Sequence, residues 1–163
     1  EFNGADVIKA MEMASKGQAI FDRLEKNKKP IIAAINGTAA GVGASIALAC
    51  DFRVMSENSG LLYAFINIGL GPDGGASWLL ARQVGYSRAL QIAVEGKKIK
   101  GDECHRLGLA NKLVENDAIV STAIDLFAAS DPAAVGAGRV SIASVLAEFL
   151  IVPLFSASES VAT

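Results

Sequence analysis

Apolar residues along the chain alternate between helical spacing and short continuous runs, a pattern that predicts helices alternating with strands. The first predicted helix covers residues 7–26, with Asp6 as its N-cap and with a break at Gly17, because glycine is a weak helix former. The continuous apolar run at residues 31–35 is typical of a strand that is covered on both faces. The remaining predicted elements are strands at 52–55, 61–65, 97–99 and 112–114, and helices at 42–49, 76–84, 88–94, 102–107, 117–129 and 133–150. Strands that alternate with helices define an α/β chain with mainly parallel strand pairing.

The overall composition narrows the classes of function. With 163 residues and a formal net charge of -2, the chain suits one domain or a large piece of one, and it shows no sign of nucleic-acid binding. Charged residues make up 20% of the chain, so we expect part of the surface to be buried against another subunit. The chain starts at Glu1 without a methionine and enters a turn at residues 4–6 at once, which suggests a fragment of a longer protein.

The cysteines and the late apolar stretch bear on the compartment. Cys50 and Cys104 have neither the spacing of a metal site nor that of a disulfide framework, which fits a reducing compartment. The apolar stretch at residues 146–155 is interrupted by Glu148 and Pro153 and is too short to span a bilayer. No signal peptide is recognisable, so we expect a cytoplasmic protein with no membrane partner and no metal.

A glycine-rich turn between the strand at 31–35 and the helix at 42–49 is the first candidate site. Gly41, Val42 and Gly43 lack the lysine and the Ser/Thr of a phosphate-binding P-loop, and they lack the full glycine pattern of a dinucleotide site. Such a turn leaves backbone N–H groups at the helix start without partners, free to bind developing negative charge. Close packing of the helix start against a strand explains the same glycines equally well.

The second candidate site is a single carboxylate, Asp73, on a tight turn between Pro72 and Gly74 in an otherwise apolar neighbourhood. An N–H site for an oxyanion together with a lone carboxylate is a minimal set of groups for moving protons next to a carbonyl. Proline, aspartate and glycine in series are also ordinary turn residues, so both interpretations stay open. Tyr63 and Phe65 alternate on a predicted strand, point to one face, and either line an apolar pocket or fill the core.

A third candidate is Ser45, because residues 43–47 resemble the nucleophile elbow of a serine hydrolase with its last glycine replaced. Such a serine needs a histidine partner, and His105 is the only histidine of the chain. His105 lies on a predicted short polar helix beside Arg106, so we expect a surface histidine and rank hydrolysis by a serine triad low.

Taken in order, five segments of the chain resemble the crotonase family, also called the enoyl-CoA hydratase/isomerase superfamily. The resemblance extends from about residue 4 to residue 114, and the matching segments are residues 29–37, 40–44, 50–51, 68–75 and 108–114. It implies a crotonase-like spiral of ββα units, truncated at the N-terminus, with a core in residues 1–114 and a C-terminal helical region in residues 115–163. It also implies acyl-CoA thioester substrates of fatty acid metabolism, with coenzyme A only as part of the substrate and no other cofactor. Assembly as a homotrimer or hexamer is implied as well, and in a eukaryote a location in the mitochondrial or peroxisomal matrix.

The same resemblance assigns roles to individual residues. The shared chemistry of the family is a thioester enolate held by two backbone N–H groups, an oxyanion hole, which here would be those of Val42 and Ala5. Val42 stands where many members carry glycine, but a side chain does not remove the N–H. The substrate-binding positions implied by the match are Gly41, Phe65, Ile68 and Leu70.

Two departures from the family pattern bear on the reaction. Hydratases of the family, which are lyases, usually place two glutamates around the attacking water, and this chain has Ser45 and Phe65 at those positions. Asp73 falls where certain enoyl-CoA isomerases carry a catalytic aspartate and where a related dehalogenase carries a nucleophilic one. We therefore predict an enoyl-CoA isomerase that shifts a double bond through a thioester enolate with Asp73 as its base. Hydrolysis or dehalogenation with Asp73 as nucleophile, and a non-catalytic acyl-CoA-binding protein, are the alternatives.

Overall fold

The computed structural model describes residues 4–28, 30–128 and 141–144 of the chain. Within these ranges the chain forms six α-helices, two 3₁₀ helices and seven strands. The helices are α1 Gly4–Glu25, α2 Val42–Ala49, α3 Ala76–Val84, α4 Tyr86–Glu95, α5 Gly101–Arg106 and α6 Ile119–Ala128, and the 3₁₀ helices are Ala64–Ile68 and Asn116–Ala118. The strands are β1 Ile31–Ile35, β2 Thr38–Ala40, β3 Phe52–Ser56, β4 Gly60–Leu62, β5 Lys98–Lys100, β6 Lys112–Val114 and β7 Ser141–Ser144. Apart from the corrections given below, the elements predicted from the sequence are confirmed to within a few residues at each end.

The strands form two sheets between which the chain alternates. The first sheet is parallel throughout, in the order β6-β3-β1-β7. The second has the order β2-β4-β5, with β2 parallel and β5 antiparallel to β4. The chain passes from β1 to β2 through a turn at Asn36 and Gly37 and then enters α2, and β3 and β4 repeat this crossing between the sheets. The predicted α/β class with mainly parallel pairing is confirmed.

β1 is covered on both faces, which explains its unbroken apolar sequence. Its residues point alternately into two clusters of buried side chains. Ile31 and Ile35 enter the larger cluster, which also contains side chains of α2, α3 and the second sheet. Ile32 packs instead with Ile119 and Ala123 of α6. The first sheet therefore lies between α6 on one side and α2 on the other.

α1 starts earlier than the sequence pattern predicts and passes through Gly17 without a break. The predicted N-cap at Asp6 and the predicted break at Gly17 are wrong, because one uninterrupted helix spans Gly4–Glu25. A glycine inside a helix costs about 1 kcal/mol relative to alanine, which the good helix formers around Gly17 can offset. Neither α1 nor any other helix in the described part of the chain combines the length and apolar character that crossing a bilayer requires.

The strand predicted at residues 61–65 is wrong beyond β4, because the chain turns there into the 3₁₀ helix Ala64–Ile68. Tyr63 and Phe65 therefore do not share one face of a strand. Their rings nevertheless meet edge-on with centroids 6.1 Å apart, and both side chains are buried in the core. Gly69 ends the 3₁₀ helix with a φ of 71°, a conformation that favours glycine because it lacks a β-carbon.

The helix predicted at residues 133–150 is wrong at residues 141–144, which form β7, and the rest of that prediction lies outside the described residues. β7 pairs in parallel with β1 on the side away from β3, with Ile142 opposite Ile32. Unpaired backbone groups along a buried strand are costly, so the free edge of β1 favours strand pairing over a separate helix. The division of the chain at residue 114 stays a prediction.

Candidate active site

The turn before α2 presents two open backbone donors. Gly41 is the N-cap of α2, and its N–H donates to a carbonyl of β4 at 2.9 Å. The Gly41 carbonyl accepts from the N–H groups of Ala44 at 3.0 Å and Ser45 at 3.2 Å. Among the described residues, no acceptor is bonded to the N–H groups of Val42 and Gly43. Two adjacent N–H groups at the start of a helix, where the helix dipole is positive, suit a ligand oxygen with negative charge.

Close packing does not explain the glycines of this turn. A β-carbon on Gly41 or on Gly43 would meet no neighbouring part of the fold within 4 Å. Gly41 is needed for a different reason, since its φ of 53° is one that residues with a side chain rarely adopt. Of the two interpretations of the glycine turn, binding of an anion is therefore better supported than close helix packing.

Asp73 lies on a tight turn that leads into α3, as the sequence predicts. Its carbonyl accepts from the N–H of Ala76 at 2.9 Å, and the next two residues, Gly74 and Gly75, have φ values of 56° and 73°. A β-carbon on Gly74 would collide with the ring of Phe21. The turn therefore packs directly against α1, and glycine at this position permits both the backbone conformation and the close approach.

Ser45 connects the Asp73 turn to α2. Its side chain is fully buried, and its Oγ donates to the carbonyl of Asp73 at 3.2 Å and lies 3.4 Å from the carbonyl of Gly41. Ser45 follows Val42 by three residues, which is about one helical turn. Two of the predicted site residues, Val42 and Asp73, are thereby brought to the same end of α2.

Ser45 is not arranged as the nucleophile of a hydrolase. Its hydroxyl donates to carbonyl groups, and among the described residues it has no histidine partner. His105 is exposed on α5, where its Nδ1 lies 3.0 Å from the carbonyl of Ala110. Because His105 is the only histidine of the sequence, a serine triad is not formed by the described part of the chain.

Asp73 is exposed on its turn, and its carboxylate is partly desolvated. Desolvation raises the pKa of Asp73 above its ordinary value, and a hydrogen bond from its own backbone N–H acts in the opposite direction. The ion pairs found among the described residues do not include Asp73. A carboxylate with a raised pKa and no cationic partner is a stronger base than a typical surface aspartate.

The predicted substrate-binding residues do not form one surface. Phe65 is buried against Tyr63, whereas the side chains of Ile68 and Leu70 are about half exposed, at 52% and 56%. Leu70 lines an apolar groove of about 390 Å³ between the 3₁₀ helix Ala64–Ile68, α3 and α4, and Gly41, Phe65 and Ile68 do not line it. The groove extends to Pro72, the residue before Asp73.

Sequence reasoning missed the contribution of α4 to this groove. Tyr86, Leu90 and Val94 recur at every fourth position, are exposed, and line the groove along one face of α4. Apolar residues at this spacing form a single stripe on a helix. That spacing was the signal in the sequence from which the lining could have been predicted.

Arg53 is a further residue that sequence reasoning missed. It lies on β3 with only 5% of its surface exposed, and burial lowers the pKa of its guanidinium. Its Nη1 donates to the carbonyls of Ala47 at 3.2 Å and Cys50 at 2.8 Å, and its Nε donates to the carbonyl of Leu109 at 2.6 Å. Arg53 therefore closes the end of α2 that lies opposite the candidate site. The signal in the sequence was a single charged residue inside a short apolar strand.

Ala5 lies in the first turn of α1, far along that helix from Phe21. At a rise of 1.5 Å per residue, a straight helix places roughly 24 Å between the two residues. Phe21 is in the part of α1 that packs against Gly74 of the Asp73 turn. Ala5 is therefore at the other end of α1 from this contact, and its role as the second oxyanion donor stays a prediction.

The two cysteines are buried and unpaired with each other. Burial raises the pKa of Cys50 and of Cys104 to about 11, so both thiols are protonated at neutral pH and are poor metal ligands or nucleophiles. Within the described ranges, no group of three or more His, Cys, Asp and Glu side chains is placed to hold a metal ion.

The fold and the site define a class of protein: an α/β chain of repeated crossings between two sheets, with an open helix start that a hydrogen bond joins to the turn of Asp73. The family model described as enoyl-CoA hydratase/isomerase matches residues 2–136. The chain belongs to the enoyl-CoA hydratase/isomerase family and has its crotonase-like fold.

Relatives of the chain include both hydratases and isomerases. The chain is 37% identical over 131 residues to a short-chain-enoyl-CoA hydratase of Clostridium acetobutylicum, an alignment that covers 76% of this chain and 50% of the relative. It is 38% identical over 104 residues to a 1,2-epoxyphenylacetyl-CoA isomerase of Escherichia coli, with coverage of 64% and 40%. The chain spans half or less of the length of these curated relatives.

Similar solved structures also come from the enoyl-CoA hydratase/isomerase family. A probable enoyl-CoA hydratase/isomerase from Mycobacterium abscessus is similar with a TM-score of 0.70 at 35% identity, covering 73% of this chain and 46% of that one. A monofunctional enoyl CoA isomerase from M. smegmatis is similar with a TM-score of 0.62 at 34% identity, covering 68% and 52%. Because both kinds of enzyme occur among the similar proteins, membership of the family does not choose between hydration and isomerisation.

Proposed function

We propose that this chain belongs to an acyl-CoA-processing enzyme, an enoyl-CoA isomerase in which Asp73 is the base. The observation that carries this proposal is the hydrogen bond of 3.2 Å from Ser45 Oγ to the carbonyl of Asp73. It ties the turn of the carboxylate to α2, whose first N–H groups, at Val42 and Gly43, have no acceptor in the part of the chain that the structure describes. The acyl-CoA substrate is proposed from the family, and coenzyme A takes part only as a portion of that substrate.

The proposed reaction moves one proton and adds no water. Asp73 removes a proton from C2 of a 3-enoyl-CoA, and the electron pair of the broken C–H bond moves into a dienolate. The dienolate oxygen accepts a hydrogen bond from the N–H of Val42. Asp73 then gives the proton to C4, and the double bond is left between C2 and C3. Losing one N–H donor of this kind typically raises the barrier by about 3–4 kcal/mol.

The residues at the two positions that carry glutamate in hydratases, Ser45 and Phe65, favour isomerisation over hydration. Ser45 is fully buried with its hydroxyl engaged, and the ring of Phe65 packs against Tyr63 in the core. Neither side chain can accept a proton from an attacking water, whereas a double-bond shift needs a single base, for which Asp73 suffices.

Mass spectrometry on a panel of 3-enoyl-CoA and 2-enoyl-CoA thioesters tests the proposal. Isomerisation changes the position of the double bond at constant mass, whereas hydration adds the mass of one water. We expect Asp73→Asn to lower isomerase turnover by about a hundredfold to ten-thousandfold, because the amide cannot take up the proton. Asp125→Asn on α6, which is also exposed, is the matched control and should keep full turnover. Turnover of Asp73→Asn within a few-fold of wild type would exclude Asp73 as the base.

Nucleophilic attack by Asp73 is the second candidate, favoured by a partly exposed carboxylate that has no ion pair among the described residues. A covalent acyl or aryl adduct on Asp73, found by peptide mass spectrometry after quenching, would support it in place of proton transfer. Tight binding of CoA thioesters without any reaction would instead indicate a non-catalytic acyl-CoA-binding protein.

We also propose assembly as a homotrimer or hexamer. The exposed apolar stripe of Tyr86, Leu90 and Val94 on α4 supports burial of part of the surface against another chain. The modest charged fraction of 20% points the same way.

A further inference from the structure

One side chain connects the proposed base to the proposed oxyanion donors. Ser45 is on α2, one turn after Val42, and none of its surface is exposed. Its Oγ has a single proton to donate and two carbonyl oxygens within reach, that of Asp73 at 3.2 Å and that of Gly41 at 3.4 Å. The shorter of the two contacts joins residues that are 28 positions apart in the sequence.

Among the described residues, the Ser45 bond is the one hydrogen bond that joins Asp73 itself to α2. The turn is also anchored in the core, because the Tyr63 hydroxyl donates to the carbonyl of the buried Ala76 at 3.4 Å. The hydrogen bond from the N–H of Ala76 to the carbonyl of Asp73 is local and shapes the turn itself. The ring of Phe21 packs against Gly74 from α1, and an apolar contact of this kind has no preferred direction along the surface. The bond from Ser45 is directional and comes from the same helix that carries Val42.

We infer that Ser45 is a positioning residue, whose hydroxyl holds the Asp73 turn where its carboxylate can reach a substrate bound at the N–H of Val42. This inference rests on the proposed function. Proton transfer needs donor and acceptor within hydrogen-bond reach, and a displacement of about 1 Å can cost about a hundredfold in rate. The serine at a position that carries glutamate in hydratases thus has a role of its own in the proposed isomerase.

A purely structural role for the Ser45 hydroxyl makes a different prediction. Ser59 offers the matched comparison, because it too is fully buried and its Oγ donates to a carbonyl, that of Ser56 at 2.7 Å. Ser59 lies between β3 and β4, away from the Asp73 turn in the chain. If both hydroxyls are purely structural, removing either one lowers stability and affects kcat alike. If Ser45 positions the base, removing either hydroxyl lowers stability, but only removal of the Ser45 hydroxyl lowers kcat.

The experiment compares Ser45→Ala, Ser45→Thr, Ser59→Ala and Asp73→Asn in the purified protein, with kcat, KM and thermal melting measured for each. For Ser45→Ala we expect kcat to fall by about tenfold to a hundredfold while KM changes by less than about threefold, because the base is displaced and the binding surface is kept. Ser45→Thr, which keeps the hydroxyl, should recover most of the loss. Ser59→Ala should keep its kcat at a temperature where it is folded.

Two outcomes would overturn the inference. In the first, kcat of Ser45→Ala stays within twofold of wild type although Asp73→Asn is inactive, so the base is confirmed and its positioning by Ser45 is not. In the second, Ser45→Ala and Ser59→Ala lose kcat equally, which indicates general loosening of the fold. An active Asp73→Asn would overturn the proposed function itself, and the parallel measurement separates that result from the other two.

Discussion

The two ends of α2 differ in how their backbone groups are satisfied. At the C-terminal end, the buried side chain of Arg53 donates to the carbonyls of Ala47 and Cys50. At the N-terminal end, the N–H groups of Val42 and Gly43 have no acceptor among the described residues. Helix ends in folded proteins are normally satisfied by capping groups or water. α2 thus has one end closed by a protein side chain and one end whose donors are open, and the proposed function uses the open end.

The closed end also supports the open one electrostatically. A cation near the last carbonyls of a helix stabilises the negative end of its dipole, and Arg53 provides that cation from β3. Burial lowers the pKa of Arg53, but an arginine remains charged at neutral pH. In the proposed function the open end serves the chemistry, whereas the closed end stabilises the fold, and the two ends can be perturbed separately.

The largest expected effect is on stability and comes from removing the Arg53 side chain that caps the C-terminal end of α2. Arg53→Met removes the donors to the carbonyls of Ala47, Cys50 and Leu109, and we expect the free energy of unfolding to fall by about 2–4 kcal/mol. Urea unfolding measures the loss. The exposed Arg23→Met on α1 is the control and should change stability by less than about 0.5 kcal/mol. Equal midpoints for the two variants would show that capping by Arg53 does not stabilise α2.

A smaller effect is expected from two glycines at the open end. Gly41 has a φ of 53°, so Gly41→Ala should destabilise the protein by about 1–2 kcal/mol through backbone strain alone, since its new β-carbon meets no neighbour. Gly43 lies inside α2 with equal space, so Gly43→Ala should be neutral or stabilising by up to about 1 kcal/mol. Thermal melting of both variants tests the difference. A more stable Gly41→Ala would contradict the backbone explanation.

The smallest expected effect is the contribution of Asp73 to the pH dependence of the free energy of unfolding. Desolvation raises the pKa of Asp73 in the folded state, so the folded protein holds this proton more tightly than the unfolded chain. The resulting stabilisation is complete below the unfolded pKa and is lost as the pH rises through the folded pKa. Asp73→Asn should therefore be slightly more stable than wild type at neutral pH and equal to it in acid.

Urea unfolding of wild type and Asp73→Asn at neutral pH and well below the ordinary aspartate pKa of 3.8 measures this difference. A variant less stable than wild type at neutral pH would mean that the ionised carboxylate is favoured by the fold. In that case Asp73 would be held by an interaction with another group rather than kept available as a base.

The sequence alone determined the elements whose contacts are local or whose burial is uniform. β1 is an unbroken apolar run because both of its faces are covered. The glycines before α2 predict the turn at which that helix begins. The tight turn at Asp73 is likewise predicted by proline before it and glycine after it. Steric preferences of single residues and the periodicity of burial act over a few positions, so the sequence contains them directly.

Only the tertiary structure decided which of these pieces meet. The bond from Ser45 to Asp73, the capping of α2 by Arg53 and the pairing of β7 with β1 each join segments that are separate in the sequence. The same holds for the 3₁₀ helix Ala64–Ile68, where a local alternation predicts a strand that the chain does not form. Such contacts form only if the segments between the two partners pack correctly, and they must offset the entropy of closing the intervening loop. A local pattern of residues therefore does not show which distant segments will meet.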